Sequence, residues 1–265
     1  MIIDFHTHCF PEALAQKALS NLSAVSGHME TYTDGTAAGI LSSMDSAGVD
    51  KAVVLNIATN PEKQDKINTA SITLQSDRLL AFGSVHPKAP FDDCVSELKR
   101  LKANGIKGIK FHPEYQHFKV DDPSLFPLYE VIGDLGLITV FHAGMDNAYL
   151  PPAMCSPEGL LTILPYFHGA PVVAAHMGGY LLWREVLDLL CGTDIYFDTS
   201  FCFSRIPLPL FKAIVQKHGA EHILFGSDSP WSKMENEIRL IDSGEFTPRE
   251  HELILGGNAR RILKL

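Results

Sequence analysis

Ile2-Ile3-Asp4-Phe5-His6-Thr7-His8 is the stretch on which the reading of this chain turns. It is an apolar run with the look of a β-strand, and it ends in two histidines one residue apart. Side chains two apart on a strand share a face, so His6 and His8 project together, with Asp4 below them. Two converging imidazoles make half of a metal site, because neutral histidine nitrogen is a good zinc ligand. Taken alone, the pair is more simply two strand-end residues bonded to loop backbone. The rest of the chain decides between these readings, because it repeats the pattern of an apolar strand ending in a polar residue.

Seven further apolar runs follow: Lys51–Ala58, Leu79–His86, Ile106–His112, Leu137–His142, Pro171–His176, Asp194–Asp198 and His222–Asp228. Helical spacing of apolar residues separates them, over about 36–47, 61–76, 90–104, 123–135, 156–168, 180–191 and 207–218, with two more helices over 233–242 and 248–263. Gly48, Gly105 and Gly136 are good helix stops. Uniformly apolar strands alternating with helices predict a parallel sheet covered by helices. Eight such units in 265 residues predict one closed (β/α)8 barrel, an α/β fold, as a single domain over 1–265. No Gly-x-Gly-x-x-Gly follows a strand, which weakens a nucleotide-binding reading. Residues 9–35 are expected to be mostly loop, with a short helix over 12–22. A long insertion there is where a lid or specificity loop would sit.

Composition bounds the partners. A net charge of −9 argues against nucleic acid and anionic membranes, which need a basic surface. No apolar run is long enough to span a bilayer. The five cysteines are scattered, and no basic-then-apolar leader precedes Ile2, so a reduced, cytoplasmic setting is expected. Cys9, beside His8, is read as incidental to any metal.

In such a barrel, chemistry sits at the C-terminal ends of the strands. Those ends carry His6 and His8, then Asn56, His86, Lys110 with His112, His142, His176, Asp198 and Asp228. Six of the twelve histidines therefore fall at strand ends. Strand parity puts His142 on the face of Ile138 and Val140, His176 on that of Val172 and Ala174, and Asp228 on that of Leu224 and Gly226. A divalent metal on His6, His8 and His142 with Asp228 close by makes chemical sense. Its bound water would be acidic enough to supply hydroxide. Asp228 would then serve as ligand and general base, and His176 would orient water or substrate or hold a second metal. Each residue alone also fits a duller role: a satisfied histidine, or Asp228 as a turn or cap residue.

Asp4-x-His6-x-His8, Lys110-x-His112-Pro113, His142, His176-Met-Gly-Gly179, Phe225-Gly-Ser-Asp228-x-Pro230 and the tail Gly257–Leu263 together resemble the amidohydrolase superfamily. The nearer likeness is to the branch that holds aminocarboxymuconate-semialdehyde decarboxylase and related hydratases, hydrolases and decarboxylases. The resemblance spans essentially the whole chain. It implies one divalent metal on His6, His8, His142 and Asp228, zinc foremost with manganese or a second metal as alternatives, and His176 as the acid/base or water-orienting residue. In two-metal members a modified lysine or a glutamate from the fourth strand bridges the ions, which leaves Lys110 and Glu114 as candidate bridges. With one metal, Lys110 becomes a cation near the substrate or an ion-pair partner, for instance of Asp4. His112 and Arg205 are further substrate-contact candidates, and Tyr180 and Trp231 candidate pocket walls.

Three functions follow as expectations. The first is hydrolysis of a small polar amide, lactone or ester by metal-bound hydroxide. The second is a non-hydrolytic decarboxylation or hydration of a carboxylated substrate, which requires Lys110 or Arg205 near the metal to hold the carboxylate. The third is an inactive binding or regulatory barrel. The resemblance also admits a homodimer, which nothing in the residues themselves indicates.

Overall fold

The computed structural model describes all 265 residues. Eight strands run in chain order: β1 (Ile3–Thr7), β2 (Lys51–Leu55), β3 (Leu79–Phe82), β4 (Gly108–Phe111), β5 (Ile138–Phe141), β6 (Val172–Ala174), β7 (Tyr196–Asp198) and β8 (Ile223–Leu224). Each is nearly wholly buried and most are apolar, as strands covered on both faces must be. Successive strands pair in parallel from β1 to β3 and from β4 to β8. Bridges between Gly83 and Ile109 and between Thr7 and Ser229 join the two arcs at both ends. The ring is thereby closed, and the chain is a (β/α)8 barrel.

Two apolar clusters fill it. The smaller joins Ile3, Phe5, Val53, Phe82, Val140 and Leu224 with neighbours from other strands and with Ile262 and Leu263 of the last helix. Strands on opposite sides of a ring meet only through its interior, so this cluster is the barrel's own filling. The larger packs the strands' other faces against the helices. His142 and Asp228 thus continue the inward faces of Ile138, Val140 and Leu224, as parity implied. His176 does not: Val173 points inward, while Val172 and Ala174 join the outer layer. β6 ends at Ala174, and His176 and Met177 both take positive φ, at 60° and 54°, which swings the imidazole back over the barrel mouth.

The long insertion after β1 holds α1 (Glu12–Val25), longer than the helix the spacing suggested. α2 (Ala37–Ala47) starts at Thr36, whose hydroxyl accepts from Gly39 N, and stops at Gly48 in the left-handed conformation. α3 (Gln64–Leu74) follows β2. The helix expected over 180–191 is shorter, and begins at Trp183. Tyr180 is used instead to pin two loops: its N–H donates to Ala143 O at 2.8 Å, and its carbonyl accepts from Met145 N at 2.9 Å. Gly144 permits this, since a Cβ there would sit 2.2 Å from Tyr180 N. No helix is long and apolar enough to cross a membrane.

Candidate active site

β1 delivers His6 and His8 to the barrel mouth, and their tautomers follow from their partners. His6 Nδ1–H donates to Asp198 Oδ2 at 2.8 Å, and His8 Nδ1–H to the Leu55 carbonyl at 2.9 Å. Both Nε2 atoms are therefore bare lone pairs. They lie 3.2 Å apart, and Asp228 Oδ1 is 3.4 Å from one and 3.1 Å from the other. Three acceptors this close, with no proton to share, repel unless a cation sits among them. Edges of 3.1–3.4 Å also match what a metal with bonds of about 2.1 Å imposes on its ligands. Burial, with Lys110 adding to it, lowers His6 to about 4, so the imidazole is neutral and ready to ligate. Burial alone would raise Asp228, and it is positive charge at the His6–His8 position that pulls it below the usual carboxylate range.

Room for this is made by Gly226, where a Cβ would lie 2.9 Å from His6 Cβ. Asp4 works from below: its Oδ1 accepts from His6 N at 3.0 Å and Ser227 N at 2.9 Å, tying β1 to the end of β8. Asp198 does the same from β7. Beyond holding His6, it accepts from His176 N at 3.0 Å and Ser200 N at 3.1 Å. The spacing had placed Asp198 at a strand end without a role. Ser200, two residues on, carried no signal at all.

His142 and His176 form a second imidazole pair. His176 Nδ1–H donates to Ser200 O at 3.0 Å, and His142 Nε2–H to Met145 O at 3.2 Å. Their inner nitrogens, His176 Nε2 and His142 Nδ1, then face each other as lone pairs 3.0 Å apart, which again calls for a proton or a cation. His142 is not among the three atoms that meet at His6, His8 and Asp228. It stacks on His112, with centroids 4.1 Å apart and rings within 10° of parallel, and Asp146 Oδ2 lies 3.7 Å from His142 Nε2 and 3.6 Å from His112 Nε2. Asp146 was invisible in the sequence, because it stands in a loop rather than at a strand end.

Lys110 is fully buried on β4, and its Nζ has no hydrogen-bond partner. Burial lowers it to about 8, against an opposing pull from Asp198 and Asp228. The suggested ion pair with Asp4 does not form: that carboxylate binds backbone N–H groups instead. Glu114, the other candidate bridge, accepts from Met154 N at 3.0 Å.

The histidines, Lys110, Asp146 and Asp228 open on one cavity of about 560 Å³. His6, His8, Lys110, His142, His176 and Asp228 line its floor. Tyr115, Tyr180, Phe201 and Trp231 wall it, and α1 contributes Leu14 and Leu22. Arg205 is not part of the lining. Its guanidinium lies 3.5 Å from the centre of the Phe201 ring and donates to Phe203 O.

A family model described as Amidohydrolase matches residues 3–265. The chain belongs to the amidohydrolase family. It is accordingly a metal-dependent enzyme, and His6, His8 and Asp228 are donors that fit a divalent ion. Among solved structures, the chain is similar in fold to a dihydroxybenzoic acid decarboxylase from Polaromonas with bound manganese and the inhibitor 2-nitroresorcinol (TM-score 0.73, 15% identity, 100% of this chain and 97% of that one). It is similar likewise to 5-carboxyvanillate decarboxylase from Sphingomonas paucimobilis (0.70, 16%, 100% and 99%). A putative 2-pyrone-4,6-dicarboxylic acid hydrolase from Pseudomonas putida also matches (0.67, 16%, 99% and 97%).

Proposed function

We propose that this amidohydrolase is a decarboxylase acting on a small carboxylated substrate with one divalent ion, zinc before manganese, held by His6, His8 and Asp228 with His142 as a further ligand. The observation that carries the reading is Lys110. A buried ammonium without a partner, on the floor of the cavity that holds the metal donors, wants an anion there. Arg205, the other candidate cation, lies outside that cavity. Decarboxylase neighbours with the same fold lean the same way.

Bound at this site, a divalent ion supplies Lewis acidity toward the substrate oxygen on which charge accumulates. Lys110 Nζ holds and orients the carboxylate. The bond to that carboxyl carbon breaks, its electron pair stays with the substrate's conjugated system, and carbon dioxide leaves. A proton held between His176 Nε2 and His142 Nδ1 is the one placed to replace it, since His176 Nδ1 is committed to Ser200 O. The aromatic walls keep water off that carbon.

The test is carbon dioxide release from a panel of hydroxybenzoates and vanillate-type acids on zinc- or manganese-loaded protein, run beside a panel of lactones and amides. Carbon dioxide release that falls by about tenfold or more in Lys110→Met supports the proposal. Turnover of lactones or amides alone overturns it.

A further inference from the structure

The cavity is larger and more apolar than a one-ring carboxylate needs, and its mouth carries unused charge. Leu14 on α1 is 55% exposed yet lines the cavity, so it stands at the opening, and the less exposed Leu22 and Ile67 line the same cavity. Beside them, the segment leading into α3 and its first turn contribute Lys63 and Lys66, both exposed and both lining the same cavity. Neither is neutralised: the lysine ion pairs of this chain are Lys119–Asp121 and Lys212–Glu245. Two free ammonium groups on the rim of an apolar channel are notable in a chain of net charge −9.

We infer that the substrate is an elongated dianion: a carboxylate at Lys110 on the floor, an apolar body along the channel, and a second anionic group met at the mouth by Lys63 and Lys66. The inference rests on the proposed placement of the reacting carboxylate at Lys110, and it adds the length and the far charge. The chemistry follows from the lining. Apolar walls reward each methylene removed from water, so affinity climbs with chain length until the channel is filled. An anion at the far end would gain nothing in bulk water, but it gains from two unpaired cations at the rim. Exposed ammonium groups contribute modestly each, so together they are worth about three- to tenfold in affinity.

The experiment is calorimetric binding to the metal-loaded chain, with no turnover required. The probes are 4-alkoxybenzoates of increasing chain length, each paired with a twin whose chain ends in a carboxylate. The expected result is that the plain acids bind more tightly as the chain grows. At the length that reaches the mouth, the twin binds better than the plain acid by about three- to tenfold. That advantage disappears in Lys63→Gln/Lys66→Gln and shrinks with added salt, while benzoate affinity is unchanged. Affinity that is flat with chain length, or a twin advantage that survives the double substitution, overturns the inference. Lys110→Met separates the two readings. If it leaves every probe unaffected while the rim effect persists, the floor assignment fails and the rim assignment stands.

Discussion

Lys110 is the residue on which the proposed chemistry turns, and its titration falls where this can be measured. Burial brings it to about 8 from an ordinary 10.5. Between those pH values the unfolded chain holds the proton that the folded chain has lost, so stability rises as pH climbs from about 8 to 10.5. Lys110→Met removes that rise in chemical denaturation measured across pH. It does not destabilise the fold at neutral pH, because a buried unpaired charge is replaced by an apolar side chain of similar length. Catalysis moves the opposite way. In the proposed role the charged form binds carboxylate, so kcat/KM falls as pH rises through about 8, and in Lys110→Met it drops by about 10- to 100-fold at neutral pH. Gly226→Ala is the second residue-scale case. The new methyl meets His6 Cβ, and elemental analysis should show metal lost although no ligand was changed.

Among the elements, the helix Met234–Asp242 latches two site loops together through one buried carboxylate. Glu237 Oε2 accepts from Cys202 N at 3.2 Å and Phe203 N at 2.8 Å, beside the pocket wall Phe201, and its Oε1 accepts from Ser232 Oγ at 2.8 Å, beside Trp231. Burial, only partly offset by Ser232 and these N–H groups, raises Glu237 to about 8. Glu237→Ala strands the donors and should cost about 2–4 kcal/mol in denaturant melts. Glu237→Gln should keep most of that stability, since one amide oxygen serves both N–H groups and the amide nitrogen donates to the Ser232 hydroxyl. Equal losses in the two variants would mean that the charge, and not the hydrogen bonds, holds the loops.

For the whole molecule, the barrel closes by bringing Ser229 back to Thr7, and the candidate metal donors straddle that seam: His6 and His8 at the end of the first strand, Asp228 just after the last. An ion there ties the two ends of the chain together. Chelation should lower Tm by about 5 to 10 °C, restored by zinc or manganese. The seam also marks what a sequence makes legible. The alternation of apolar strands and helices, and the polar residue at each strand end, are local patterns, and they located His6, His8, Lys110, His142, His176 and Asp228. Asp146, Ser200 and Glu237 act from loops or from a neighbouring helix, and their partners are chosen by ring closure, which no local period records. Parity misplaced His176 for the same reason, because the positive-φ turn after β6 breaks the alternation it relies on. Arg205 reads as a carboxylate anchor because its loop follows β7, yet it stacks on Phe201 and does not line the pocket.

The most direct test is metal content per chain by elemental analysis, on the wild type and on His8→Ala, Asp228→Ala and Lys110→Met. One ion per chain, lost in His8→Ala and Asp228→Ala and retained in Lys110→Met, is the predicted result, because the proposed role reserves the lysine for the substrate. A chain that binds no divalent ion, or one whose metal leaves with Lys110, contradicts the account.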